Sequence, residues 1–156
     1  MLFGSVLLGA YAATWLARGR QLTQAAWWRF GMAVGMTVAG VMHIVDPTPF
    51  LQHLPGWVPA QGPIVLTTGI IEVGLGLAIL HPRWRHTAGV LLAAYLVAVF
   101  PANIYVAVAG VDVQGQPDGV DPYLRLLVQP MFIWLALWTT REQRLAVPAR
   151  SPAALR

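Results

Sequence analysis

The sequence predicts an all-α integral membrane protein, a helical bundle that crosses the bilayer five times. Hydrophobic residues make up 57% of the 156 residues and charged residues only 10%, whereas a soluble domain carries about 25% charged residues. The few charges lie between long apolar segments, and arginine-rich loops alternate with loops that lack arginine. The chain is short enough for one compact unit.

Five apolar segments define the predicted spans. They cover residues 1–17, 27–45, 63–80, 87–109 and 123–139. A helix needs about 20 residues to cross a bilayer and about 17 suffice, so the first and last segments are short. The first segment could alternatively be a signal peptide. However, it lacks a basic stretch before it, and Arg18 and Arg20 follow it, so we expect residues 1–20 to form a retained N-terminal transmembrane helix.

The loops give the orientation of these helices. Arginines occur in the first and third loops and in the tail, while the second loop (46–62) and the fourth loop (110–122) carry aspartates instead. Because basic loops stay in the cytoplasm, the N-terminus should lie outside and the C-terminus inside. Residues 27–140 would form a four-helix transmembrane domain, and residues 141–156 a disordered cytoplasmic tail.

Composition also excludes several kinds of chemistry. Cysteine and lysine are both absent, which rules out disulfides, thiolate metal sites and Schiff bases formed by this chain. The ten arginines lie at the ends of apolar segments, where membrane topology accounts for them better than nucleic-acid binding does.

Glu72 is the residue that most needs an explanation. It is the one charge in the segment 63–80 and lies about nine residues, or roughly 14 Å, from the outer end of that helix. A side chain this short cannot reach water from there, so it requires a partner, a proton or a water-filled site. A structural ion pair with Arg125 is the main alternative to a functional role.

Other polar residues fall in the outer half of the predicted membrane. The first helix of the four-helix domain provides His43, and the later helices provide Asn103, Arg125 and Gln129. Facing inward, these residues would line one cavity that opens outward. Three further residues join the predicted site because of their spacing from this set, namely Thr68, Tyr95 and Asp46.

Each of these residues also has an ordinary structural interpretation. Arg125 could extend to the lipid headgroups, His43 could be a packed, hydrogen-bonded side chain, and Asn103 and Gln129 could join helices to one another. Pro101 and Pro130 each remove a helical hydrogen bond and free a carbonyl one turn earlier, that of Val97 in the first case. No third ligand accompanies His43 and His53, so the sequence predicts no metal site.

Four stretches resemble the DoxX-like family of small bacterial membrane proteins. They are "AGVMHIVDPTPFLQHLPGWVP", "TTGIIEVGLGLAIL", "AVFPANIYVAV" and "YLRLLVQPMFIWLALW". The shared pattern is G-x-x-H, then G-x-x-E, F-P-A-N and R-L-x-x-Q, and it includes Gly40, Gly69 and the polar residues already identified. The resemblance implies a four-helix core in the bacterial cytoplasmic membrane, to which this chain adds its N-terminal segment. It also implies an association with membrane redox complexes that use quinones.

Three functional hypotheses follow from the residues and the resemblance together. In the first, the cavity binds a quinone or similar amphipathic molecule, Glu72 and His43 transfer protons, the other polar residues bind the ligand, and a redox partner protein supplies electrons. In the second, the same acid–base pair acts on a lipid- or sterol-like ligand, as a binding protein or isomerase. In the third, the chain is a structural subunit that anchors a membrane complex.

Overall fold

The computed structural model describes residues 23–114 and 121–141, and every regular element in these ranges is an α-helix. The elements are α1 (Gln24–Val45), α2 (Thr48–Leu51), α3 (Gln61–Ala78), α4 (Arg85–Ala109) and α5 (Asp121–Thr140). The all-α prediction is therefore confirmed for this part of the chain. The four long helices correspond to the four later apolar segments, whereas the predicted N-terminal helix and nearly all of the tail lie outside the described residues.

Local sequence explains where the long helices begin and end. Thr23 caps α1, since its hydroxyl accepts a hydrogen bond from the amide of Ala26 at 3.3 Å. Helix α4 ends at Gly110, whose φ of 62° lies in the left-handed region that favours glycine. The loop between α1 and α3 contains the short helix α2, which the hydropathy pattern did not predict.

The long helices form a ring of four, in which each one contacts two others. The most extensive contacts join α1 to α3 and α4 to α5, and smaller ones join α1 to α5 and α3 to α4. The apolar core occupies one half of this bundle. It contains Met32, Ala33, Met36, Ile79, Ala88, Leu92, Ala93, Leu96, Phe132, Leu135 and Ala136.

Two glycines bring α1 and α3 into backbone contact. A Cβ atom on Gly69 would lie 2.6 Å from His43 Cβ and 2.8 Å from the Gly40 carbonyl oxygen, and a Cβ on Gly40 would overlap the Gly69 carbonyl oxygen. Gly76, further along α3, faces Ala33 of α1. As the residue number rises on α3 it falls on α1, so the two helices are antiparallel.

The outside of the bundle is apolar. Exposed large hydrophobic side chains occur on every long helix, including Val41, Ile70, Val97, Val108 and Leu127. Helices α1, α3 and α4 are long and apolar enough, by length and composition, to cross a membrane. Helix α5, which carries Arg125, is not among these three candidates. The five-span count and the orientation stay predictions.

Candidate functional site

Glu72 lies inside the bundle, on α3, about 16 Å along the helix from its first residue. The residue is only 5% exposed. Its Oε1 atom accepts a hydrogen bond from the Tyr95 hydroxyl of α4 at 2.7 Å. Its Oε2 atom is also buried and has no hydrogen-bond partner. The two carboxylate oxygens are thus held differently, one fixed and one unsatisfied.

His43 of α1 faces the unsatisfied oxygen of Glu72. Its Nδ1 lies 3.4 Å from Glu72 Oε2 and 2.8 Å from the carbonyl oxygen of Ala39. A carbonyl only accepts hydrogen bonds, so Nδ1 carries the proton and donates it to Ala39. The histidine therefore forms an ion pair or close polar contact with Glu72 without satisfying it. A small movement of the ring would convert this contact into a hydrogen bond.

Helix geometry explains why these two side chains meet. His43 follows Gly40 by three residues and Glu72 follows Gly69 by three residues, so each lies about one turn beyond the point of closest approach. Side chains lean toward the N-terminus of their helix. In an antiparallel pair the two side chains therefore lean toward each other, across the glycine contact.

Phe50 covers His43 on its outer side. The two rings are stacked, with centroids 3.6 Å apart and an interplanar angle of 23°. Phe50 belongs to the short helix α2, so the loop between α1 and α3 closes over the polar residues. A stacked ring also limits the orientations that the imidazole can adopt.

Thr68 lies one turn before Glu72, but it does not bond to the carboxylate. Its hydroxyl donates to the Val65 carbonyl at 2.9 Å, and it also interacts with the Tyr95 hydroxyl. Thr68 thus helps to position Tyr95, which in turn holds Glu72. Thr68 and Tyr95, both predicted from their spacing to belong to the site, therefore lie together beside Glu72.

Asn103 and Gln129 form a second group that links α4 to α5. The Asn103 amide donates to Gln129 Oε1 at 2.6 Å, and the Gln129 amide donates to the Leu96 carbonyl at 2.6 Å. We expected Pro101 to expose the carbonyl of Val97, and the carbonyl that Gln129 binds is that of the neighbouring Leu96. Because Leu96 is adjacent to Tyr95, this chain of bonds ends beside the Glu72 group.

Arg125 lies beside His53 in a third group at the outer end of the bundle. Arg125 Nη1 is 3.3 Å from His53 Nε2, and His53 Nδ1 is 2.7 Å from the Pro49 carbonyl oxygen. Since a guanidinium only donates, Nε2 accepts and the proton sits on Nδ1. Burial lowers the pKa of His53 below its ordinary 6.5. The hydrogen bond to the Pro49 carbonyl raises the pKa in part, and the positive charges of Arg125 and His43 lower it further.

The structure therefore brings together most of the residues that the sequence singled out. Glu72 pairs with His43 and Tyr95 rather than with Arg125, so the alternative of a Glu72–Arg125 ion pair is not what the structure contains. Asp46 lies apart from this cluster. Its carboxylate accepts the amide of Thr48 at 3.4 Å, at the start of α2, and is not bonded to His43.

Sequence reasoning missed His53 and Phe50 as members of the cluster. Both lie in the loop that was treated as a simple connection. Four prolines within it, Pro47, Pro49, Pro55 and Pro59, are a usable signal, since prolines restrict the backbone of a loop. Among residues 23–114 and 121–141, no group of three or more His, Asp or Glu side chains could hold a metal ion.

Comparison with known proteins identifies a family. Residues 32–141 match the family model described as "Domain of unknown function (DUF8561)". No curated protein and no solved structure matches the chain. The matched region contains the whole polar cluster, from His43 to Gln129. Because it covers well over half of the 156 residues, the chain belongs to the DUF8561 family.

Proposed function

We propose that this protein is a multi-pass protein of the bacterial cytoplasmic membrane that binds a quinone or similar amphipathic molecule at the Glu72 cluster, as part of a membrane redox system. The observation that carries the proposal is the Glu72 carboxylate. One oxygen is fixed by Tyr95, and the other is buried, without a hydrogen-bond partner, next to His43. A buried acceptor without a donor costs free energy. The hydroxyl group of a reduced quinone would recover it by donating a hydrogen bond to Oε2, and a protonated Oε2 would itself donate to the carbonyl oxygen of the oxidised quinone.

The membrane location is supported by the outer surface of the bundle. Three helices are long and apolar enough to span a bilayer, and large hydrophobic side chains point outward from all four long helices. Soluble proteins rarely expose apolar patches of this extent. A quinone that diffuses within the bilayer would reach such a bundle from its sides.

Ligand chemistry assigns a role to each group of side chains. A quinone carries two carbonyl oxygens and a reducible ring, and its reduction consumes two electrons and two protons. Glu72 and His43 would exchange those protons, and the guanidinium group of Arg125 would donate a hydrogen bond to a carbonyl oxygen at the outer end. The chain carries no cysteine and no recognised cofactor motif, so a partner protein would supply or accept the electrons.

The resemblance to the DoxX-like family supports the same proposal. The patterns G-x-x-H and G-x-x-E that carry the resemblance include Gly40 with His43 and Gly69 with Glu72. These are the residues at the closest contact of α1 and α3. The pattern therefore has a physical basis in this chain, since the glycines permit the approach that pairs the two polar residues.

Two other functions remain candidates on specific observations. Glu72 and His43 form an acid–base pair, which equally suits an isomerase or a binding protein for a lipid- or sterol-like ligand. The bonds from Asn103 to Gln129 and from Gln129 to Leu96 satisfy these side chains within the protein. Bonds of that kind suit a structural subunit that anchors a membrane complex.

The decisive experiment identifies the ligand of the full-length protein in mild detergent. Molecules that co-purify are extracted and identified by mass spectrometry. Thermal stability is then measured with decylubiquinone, and with dodecanol as an apolar chain without a quinone ring. Glu72→Gln keeps an acceptor for Tyr95 but removes the carboxylate, and Asp112→Asn is the matched control, since Asp112 is exposed.

We expect decylubiquinone, but not dodecanol, to raise the melting temperature, and the rise to disappear in E72Q while persisting in D112N. A co-purified sterol or lipid, together with no effect of the quinone, would favour the isomerase or binding protein. If nothing co-purifies, the quinone has no effect, and E72Q changes only folding, the structural subunit is the better account.

A further inference from the structure

The end of the bundle opposite the α2 loop carries a buried arginine, Arg29, and a half-buried one, Arg85. Arg29 of α1 is only 8% exposed, and its Nε donates to the Thr139 carbonyl near the end of α5 at 2.9 Å. Arg85 begins α4, and its Nε atom is buried without a hydrogen-bond partner. The two guanidinium groups are close enough for their positive charges to repel each other.

Packing between α4 and α5 holds the two arginines together. Gly89 of α4 lies directly against Thr140, so closely that a Cβ atom there would overlap the threonine side chain. Arg85 lies one turn before Gly89, on the same side of α4. Arg29 is tied to Thr139, the neighbour of Thr140. The arrangement is therefore fixed by the close packing of α4 against α5 and by a hydrogen bond to a main-chain carbonyl, and not by long, adaptable side chains alone.

The charges at this end are not balanced within the described residues. The end of α5 offers Arg29 about half of a negative charge. The first turn of α4 contains no acidic residue and no side-chain cap, and a helix N-terminus adds about half of a positive charge. The acid–base contact between His43 and Glu72 belongs to the Glu72 cluster, away from this end of the bundle. Two full positive charges thus lie near each other, and no carboxylate of the described residues pairs with them.

We propose that Arg29 and Arg85 form a binding site for a phosphate group, either free or in a phosphate ester. A phosphate placed between the two guanidinium groups supplies negative charge that offsets their mutual repulsion. It also supplies several acceptor oxygens, and arginine donates to phosphate through two parallel N–H groups. The unpartnered Nε of Arg85 is one donor available for this purpose. The site is independent of the Glu72 cluster and of its proposed ligand.

Two sources could provide the phosphate. The first is the headgroup of an anionic phospholipid, which would lie at the ends of the helices on the side where positively charged loops collect. The second is a soluble phosphate. Because both present the same chemical group to the arginines, the probes must separate them.

The test uses the full-length protein in a zwitterionic detergent. Phosphatidylglycerol is added with phosphatidylcholine as its zwitterionic comparison, in which the choline cation offsets the phosphate charge, and inorganic phosphate is compared with chloride at equal ionic strength. Binding is followed by melting temperature and by the fluorescence of the tryptophans adjoining the site, Trp28 and Trp84. The variant is Arg85→Gln, and the control is Arg83→Gln, because Arg83 is exposed on the same turn. Arg29→Gln is less suitable, since it also removes the bond to Thr139.

We expect phosphatidylglycerol or inorganic phosphate to stabilise the natural protein and R83Q. We expect R85Q to bind at least about tenfold more weakly, which corresponds to about 1.4 kcal/mol. Stabilisation by the lipid alone identifies a headgroup site, and stabilisation by inorganic phosphate identifies a soluble ligand. Equal losses of binding affinity in R83Q and R85Q would show that only diffuse surface charge attracts the ligand, and would overturn the proposal. The proposal would also be overturned if neither phosphatidylglycerol nor inorganic phosphate bound to the natural protein.

Discussion

Glu72 has two oxygens in different surroundings, and this difference concentrates the chemistry of the site on one atom. Tyr95 donates to Oε1 at 2.7 Å, while Oε2 has only the Nδ1–H of His43 nearby, at 3.4 Å and directed mainly to Ala39. An incoming group can therefore compete for Oε2 without breaking the bond that positions the side chain.

Replacing Tyr95 with phenylalanine should destabilise the protein by about 1–3 kcal/mol, because a buried carboxylate oxygen loses its donor. The measurement is the unfolding free energy in detergent micelles. Tyr105→Phe is the control, since Tyr105 lies on the same helix and is not part of the cluster. The double variant Y95F/E72Q should lose less than the sum of the two single variants. A Y95F variant as stable as Y105F would show that this bond contributes nothing.

His53 should make stability depend on pH. Its folded-state pKa is depressed below 6.5, so near that pH the unfolded chain binds more protons than the folded one. Stability is then fully present above about pH 6.5, falls as the pH drops below that value, and levels off below the folded-state pKa. Arg125 and His43 are the charged groups that face His53.

Melting temperatures between pH 7.5 and 5 test this expectation. His53→Gln should flatten the decline, because the variant has no imidazole to protonate in the loop. His86→Gln, an exposed histidine at the start of α4, should retain the decline. The same slope in H53Q as in the natural protein would assign the pH dependence to another group.

The pair of helices α1 and α3 shows how an element creates the site. Helix axes are ordinarily about 8–10 Å apart. The Gly40–Gly69 contact brings α1 and α3 close to each other, so the side chains of His43 and Glu72 meet more easily than they would at that ordinary spacing. Periodicity and hydropathy correctly located all four long helices. They did not locate α2, because a four-residue helix buries no continuous apolar face.

Replacing Gly69 with alanine should separate α1 from α3. The new Cβ would lie 2.6 Å from His43 Cβ and 2.8 Å from the backbone oxygen of Gly40. Relieving these clashes requires the backbone of one helix to move. We expect a loss of about 1–3 kcal/mol in unfolding free energy and a weaker response to decylubiquinone.

Gly74→Ala is the matched control on the same helix, since a Cβ there meets nothing within 4 Å. It should be neutral, or stabilising by up to about 1 kcal/mol, because alanine favours helix more than glycine does. If G69A and G74A behave alike, close packing of α1 and α3 is not what holds the cluster.

At the scale of the molecule, residues 23–114 and 121–141 form a bundle with two polar regions of different character around an apolar core. One end combines Glu72, two histidines and Arg125 under the α2 loop, and the other combines Arg29 and Arg85 near the end of α5. In the predicted orientation, the arginine-rich loops are cytoplasmic. The proposed small-molecule site and the proposed phosphate site would then face opposite sides of the membrane.

Cysteine labelling tests this orientation, and the absence of natural cysteines gives a clean background. Trp57 is 82% exposed in the loop after α2, and Trp84 is 63% exposed before α4. A membrane-impermeant maleimide should label Trp57→Cys in intact cells, and Trp84→Cys only in cells whose membrane has been permeabilised. Labelling of both positions in intact cells, or of neither, would contradict the predicted topology.

Hydropathy and residue spacing were enough to predict the helical class, the positions of the four described long helices and most of the polar residues of the candidate site. Both depend on local properties, namely the apolar character of a segment and the cost of placing a polar group in it. The pairings could be read only from the packed bundle: Glu72 with Tyr95 and His43, Arg125 with His53, and Arg29 beside Arg85. Such pairings depend on which helix faces which, and on glycine contacts that set the distance between helices. Residues as far apart as Arg29 and Thr139 meet through that packing, and no local pattern encodes it.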